Sequence, residues 1–246
     1  MNDFRSQNQQ YEQRQGWTPA EGGWGGVEVP TAAEVNVAER MGFVRKVYAL
    51  FFAATLFAIG GVMLGMSSIG LMQSIAAHPF ITLLVLMGGV IGAQAVRHVP
   101  GINLAALFGF TTMTGVIISP AIFIYGQLNP NSIWQAGVLT VGIFGGLTAY
   151  VFISKKDFSF MRGMMMTGLI VVFLAAVLNI FLASSAFSFG IAVAALLLFS
   201  GFVLYDTSNI IRRYPTNEYI AGALDLYLDA FNIFMALLRI LNAGRR

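Results

Sequence analysis

Three stretches of this chain contain no Asp, Glu, Lys or Arg: residues 47–96, 98–154 and 163–205, of 50, 57 and 43 residues. A helix that crosses a bilayer needs about 20 mostly apolar residues, so each stretch has the length of two crossing helices and a short connection. Composition agrees. The chain is 57% hydrophobic and 10% charged, against about 45–50% and about 25% in an ordinary soluble domain, and so has too little polar surface to cover a water-soluble fold. The expected class is an all-α polytopic membrane protein, with the lipid bilayer as its first partner.

Turn chemistry divides the runs. Ser67-Ser68, Gly70 and His78-Pro79 break the first, Gly126 through Ser132 the second, and Ser184-Ser185 the third. Spans are expected near 47–66, 80–97, 102–125, 134–153, 163–183 and 187–210, and the apolar segment 219–242 makes seven. Lys and Arg alternate strictly by side. Arg40, Arg45, Lys46, Arg97, Lys155, Lys156, Arg162, Arg212 and Arg213 all fall at one end of the bundle, and the connections at the other end have none. The positive-inside rule then places the N-terminus in the cytoplasm. Arg245 and Arg246 run against this pattern. Either the last segment re-enters, or the earlier charges fix the topology before it.

Residues 1–40 are rich in Gln, Gly and Glu, lack a periodic apolar face, and read as a disordered cytosolic tail ahead of a membrane domain over 41–246. No apolar segment follows a basic start, so the tail is not a signal peptide. Trp17 and Trp24 read as linker residues or as docking points for a partner or headgroups. Small residues four apart (Gly61 with Gly65, Gly88 with Gly92, Gly142 with Gly146) are expected to let helices approach closely. Met164, Met165 and Met166 read as lipid-facing or core filler, and Pro120 as a kink in span three.

Several functions are excluded. There is no cysteine and there are only two histidines, His78 and His98, which removes thiol chemistry, Cys-type zinc sites and histidine-rich metal sites. The net charge of +3 sits beside hydrophobic runs rather than on a nucleic-acid face. Tyr205-Asp206 matches half of an intramembrane aspartyl protease signature, but no Gly-x-Gly-Asp follows, and no His-Glu-x-x-His is present. The chain is not expected to be an enzyme.

Three acids stand out. Asp206 lies near the end of span six; Asp225 and Asp229 lie four apart, on one face of the last segment. An acid inside a membrane helix costs about 2.5–3.5 kcal/mol on insertion scales, and it usually faces the bundle interior. For Asp206 the alternative is an interfacial position, solvated among Arg212 and Arg213. Asp229 is the deepest, about 15 Å into its helix. Spans six and seven run antiparallel, and a loop midpoint near Pro215 sets Asp206 level with Asp225, whereas one two residues later sets it level with Asp229. Depth does not separate them. Either pairing brings together two carboxylates that titrate jointly, one of them holding its proton at neutral pH. Arg97, at a similar level, reads as a latch for Asp206 or as a topology anchor, and Arg239 is within snorkelling distance of the far interface. Two or three carboxylates fall short of the six to eight oxygens that calcium prefers, which suits weak, transient contact completed by water and carbonyls.

The strings LYDTSNIIRR (204–213) and LDLYLDAFNIFMALLRIL (224–241) resemble the signature end of the transmembrane Bax inhibitor motif family, which includes Bax inhibitor-1 and the bacterial YccA-like proteins. KKDFSFMRGM (155–164), Asn179 in LNIFL, and Gly115 with Pro120 in GVIISP add to the match, which covers residues 40–242. The resemblance implies a seven-helix bundle with the last helix central, and a pH-sensitive calcium leak whose sensor is a di-aspartyl pair. The pair falls on Asp206 and Asp229, and a latching arginine falls on Arg97. Calcium would be a permeant ion, touching Asp206 and Asp229 in passing, and no cofactor is implied. Two features depart from the family. Asp225 is a third acid where relatives usually carry a small polar residue, which bears on the protonation of the pair. Leu83 through Val96 contains no acid, so no second cation contact is implied there. YccA-like relatives restrain the FtsH-type AAA protease, which makes such a protease the alternative partner, and the bacterial inner membrane is the expected location.

Overall fold

The computed structural model describes residues 29–97, 99 and 101–243; Trp17, Trp24, His98, Arg245 and Arg246 lie outside the described residues. Among the described residues eight α-helices run in order: α1 (Val37–Met66), α2 (Ile69–Ala77), α3 (Pro79–Ala95), α4 (Ile102–Leu128), α5 (Pro130–Ser154), α6 (Arg162–Leu182), α7 (Ser185–Arg212) and α8 (Tyr219–Asn242). A single 3-10 turn, Ser159–Met161, leads into α6. Six of these segments (α1, α4, α5, α6 with its 3-10 turn, α7 and α8) are long and apolar enough to cross a membrane. The pair α2–α3, bent by 94°, makes a seventh if it is counted as one span.

The bend corrects one expectation. Residues 67–79 are not an open connection, because Ser68 accepts from the Leu71 amide and starts a nine-residue helix. Pro79 then stops it: proline has no N–H to donate, and it keeps the preceding residue out of the helical region. The Thr82 hydroxyl donates to the carbonyls of Ile75 and His78 at 3.3 and 3.0 Å, which satisfies groups that the break frees. The α4–α5 connection is also tighter than expected. Helix α4 continues to Leu128 and α5 begins at Pro130, the first helical position, where a missing N–H costs nothing. Pro120 lies inside α4 without ending it.

Helix α8 is the hub. Over its most apolar window 61% of it is buried, against 6–39% for the other five full-length segments. It packs against α1, α4, α5 and α7, and α6 lies outside against α7. The tightest helix pair is α1 with α4. A Cβ on Gly61 would lie 2.1 Å from the Thr112 carbonyl oxygen, and one on Gly115 would lie 2.0 Å from that of Ala58. Gly65 meets Ser119 in the same seam. The other two glycine pairs do not act this way: Gly88, Gly92, Gly142 and Gly146 face open space, and Gly89 instead meets Phe110 and Met113. Met165 is buried between exposed Met164 and Met166, so the methionine run serves both expected roles.

At the end that carries Lys and Arg, the last dozen residues of the expected tail depart from the reading of 1–40 as one disordered segment. Helix α1 begins at Val37, capped by the Asn36 side chain, and residues 30–32 lie across the α7–α8 loop. The α5–α6 loop is clipped to the same end. The Phe158 amide donates to Ser208 Oγ at 3.1 Å, Arg213 pairs with Asp157 at 3.0 Å, and Arg212 donates to the Lys155 carbonyl. The amide of Ser159, with Arg213 beside it, holds the Asp157 carboxyl down at a pKa of about 2.

Candidate functional site

The α7 sequence ends in a run of polar residues, Asp206-Thr207-Ser208-Asn209, and all four are buried. They sit where α7 faces α8, α1, α5 and the α5–α6 loop, so each side of the helix meets a neighbour and water is kept out. Asp206 is 9% exposed and Asp229 of α8 is 3% exposed, so Asp206 is packed among its neighbours rather than solvated beside Arg212 and Arg213. Their carboxyl groups lie against one another, close enough to share a hydrogen bond when one of the two carries a proton, since two carboxylates offer acceptors alone. Asp229 Oδ2 has no hydrogen-bond partner.

Asp225, one turn earlier on α8, belongs to the same cluster but is held differently. The Tyr214 hydroxyl donates to its Oδ2, and Gln94 Nε2 donates to its Oδ1 at 3.5 Å. Its charge acts on both Asp206 and Asp229. Arg97, in the turn after α3, exerts its charge on Asp225, as does Glu218. The structure thus brings Asp206, Asp225 and Asp229 together, with Arg97 on the Asp225 side of the cluster. His78 lies at the opposite end, where its ring Nδ1 is 2.8 Å from the Ser74 carbonyl oxygen. Among the described residues no group of three or more His, Cys, Asp or Glu side chains could hold a metal ion.

Two members of this cluster escaped the sequence reading. Tyr214 lies in the α7–α8 loop, and burial, then the charge of Asp225, pushes its phenol well above the ordinary tyrosine range. It stays a neutral donor. Its signal was weak, since a loop tyrosine beside Arg213 and Pro215 looks like an interfacial anchor. Gln94 was more legible: it is the one amide in the apolar run from Phe80 to Val96. A separate polar group lies close by, where the Tyr48 hydroxyl of α1 faces Thr148 of α5 and Thr207 of α7. None of these three hydroxyls has a hydrogen-bond partner. Between Asp225 and Asp229 on α8, the Tyr227 hydroxyl is hydrogen-bonded to that of Thr114 and ties α8 to α4.

Comparison with known proteins agrees with this architecture. The family described as inhibitor of apoptosis-promoting Bax1 matches residues 40–246. A protein of Helicobacter pylori is 32% identical over 82% of this chain and 87% of its own length. Protein lifeguard 4 of Mus musculus is 32% identical over 86% of this chain and 89% of its own length. A membrane protein of Vibrio cholerae is 44% identical over 54% of this chain and 60% of its own. Matched across all the apolar helices and the acid-bearing pair α7–α8, the chain belongs to the Bax1-inhibitor family.

Proposed function

We propose that this protein is a proton-sensitive cation leak, with calcium as a permeant ion and the Asp206–Asp229 pair as its gate. The supporting observation is the contact of the two carboxyl groups, buried between α7 and α8. With a shared proton the two helices are held together and the mouth at the basic end is shut. Loss of the proton leaves two carboxylates in contact in a low-dielectric setting, and their repulsion separates the helices. A move of Asp206 toward Arg97 would stabilise the open form. One pH unit biases such a two-state element by about 1.4 kcal/mol per proton, a roughly tenfold change in population. The one-sided distribution of Lys and Arg supports an N-terminus in the cytoplasm, and the likeness to bacterial proteins supports a bacterial inner-membrane location. No step of this reading is catalytic.

The test is calcium flux into liposomes that carry the purified protein, scanned from about pH 6 to about pH 8, where an element of this kind switches. A pH-dependent leak that Asp229→Asn abolishes or flattens supports the gate. A folded protein with no leak at any pH overturns it, and the role left is regulation of an FtsH-type membrane protease, read by co-purification.

A further inference from the structure

Pro30, Thr31 and Ala32 cross the α7–α8 loop as a short strap. The Ala32 amide donates to the Tyr214 carbonyl at 2.9 Å, and the Thr216 amide donates to the Pro30 carbonyl at 3.2 Å. Thr31 and Pro215 face each other as an antiparallel pair between those two bonds. The strap is anchored from α1, where Arg40 donates to the carbonyls of Ala32 at 2.7 Å and Ala33 at 3.1 Å. Ala32 is fully buried. The strap is thus fastened to the backbone of the residue whose side chain reaches the acid cluster.

The Tyr214 ring has little freedom to move independently of its backbone. It lies over Gly222 of α8, where an added Cβ would come within 3.3 Å of the ring and 3.2 Å of Ile210. Its hydroxyl ends on Asp225. The charged groups that act on Asp225 are Arg97 and Glu218, and Asp225 in turn acts on Asp206 and Asp229. A continuous set of contacts therefore runs from residues 30–32 through Tyr214 and Asp225 to the carboxyl pair.

We propose that the strap is a control point: lifting residues 30–32 withdraws the Tyr214 hydroxyl from Asp225 and changes the electrostatic setting of the Asp206–Asp229 pair. The regulatory sense of this inference rests on the gate proposed above, whereas the coupling between strap and Asp225 does not.

The test reads the Asp225 carboxyl directly, by infrared spectroscopy of the reconstituted full-length protein, with the band assigned by its loss in Asp225→Asn. Ala32→Pro removes the donor to Tyr214, and Tyr214→Phe removes the donor to Asp225. Both are expected to shift the Asp225 band in the same sense, and the double variant to shift it no further than Tyr214→Phe alone. Native cysteine is absent, so a Thr31→Cys, Pro215→Cys pair reports docking of the strap without background. Facing residues of this non-hydrogen-bonded kind have Cα atoms about 4.5 Å apart, within disulfide range. The pair should crosslink in the otherwise intact protein and lose that crosslink when Ala32→Pro is added. An unshifted Asp225 band in Ala32→Pro despite loss of the crosslink would overturn the coupling, as would additive shifts in the double variant or no crosslink in the folded protein. A wild type that does not leak would remove the gate and leave the coupling intact.

Discussion

Asp206 meets Asp229 rather than Asp225, although Asp225 is the acid at matching distance from the loop. Asp206 lies six residues before the end of α7 and Asp225 six residues after the start of α8. Equal depth would have paired them. Tyr214 and Gln94 engage both oxygens of Asp225 instead, and the next acid on the same face of α8 meets Asp206. Asp206→Asn and Asp229→Asn are therefore expected to remove the roughly tenfold change in calcium flux per pH unit. Asp225→Asn is expected to keep that steepness, because it leaves the pair intact. Flux measured against pH in liposomes for the three variants checks this, and equal effects of all three would contradict it.

The seam between α1 and α4 is set by backbone contact. Gly115→Leu places side-chain atoms where the Ala58 carbonyl lies, and Gly61→Leu does the same at Thr112. Overpacking of this kind typically costs about 1–3 kcal/mol, with more expected where backbone rather than side chain must move. Gly142→Leu, facing open space, is expected to change stability little. Thermal unfolding in detergent should rank the first two well below the third.

Two buried tyrosine hydroxyls, of Tyr227 and half-buried Tyr48, should respond differently to their removal. Tyr227→Phe breaks the bond to Thr114, whose hydroxyl keeps its donation to the Thr111 carbonyl, at an expected cost of about 0.5–1.5 kcal/mol. Tyr48→Phe removes a hydroxyl that has no partner, so it should be neutral or stabilising by up to about 1 kcal/mol. The same unfolding assay distinguishes them.

Asp157 provides a control for the pH response. Its folded pKa of about 2 is lowered from an ordinary 3.8, so its contribution to stability is complete above about pH 4 and is lost as the pH falls toward 2. The pair with Arg213 is half exposed and worth at most about 1 kcal/mol, less at high salt. Asp157→Asn should therefore lower the unfolding temperature slightly at neutral pH, with the difference shrinking under acid. The steepness of flux between about pH 6 and pH 8 should be unchanged, since Asp157 does not titrate there.

Much of the fold was legible because a bilayer punishes misplaced charge. The runs without Asp, Glu, Lys or Arg located the helices, and the residue types in the gaps located most breaks. Residues 69–77 were missed because breakers on either side drew attention from the apolar helix between them. The glycine pairs were only partly informative. Spacing alone does not say which face of a helix meets a neighbour, and here Gly61 and Gly65 meet α4 while Gly142 and Gly146 do not. All three acids of the cluster stood out as charges in apolar segments, with an interfacial position left open for Asp206, whereas Tyr214 did not, because a tyrosine in a loop has many ordinary uses.

By itself, then, the sequence determined that this chain must bury its length in lipid, with acids from its last two spans inside the bundle. That follows from the cost of leaving charge or bare backbone in hydrocarbon, which acts on each residue where it stands. Which acid pairs with Asp206 was decided only by tertiary structure. It depends on Tyr214 arriving from the loop, Gln94 from α3 and the strap from residues 30–32, and contacts among residues so far apart in the chain leave no periodic mark in it.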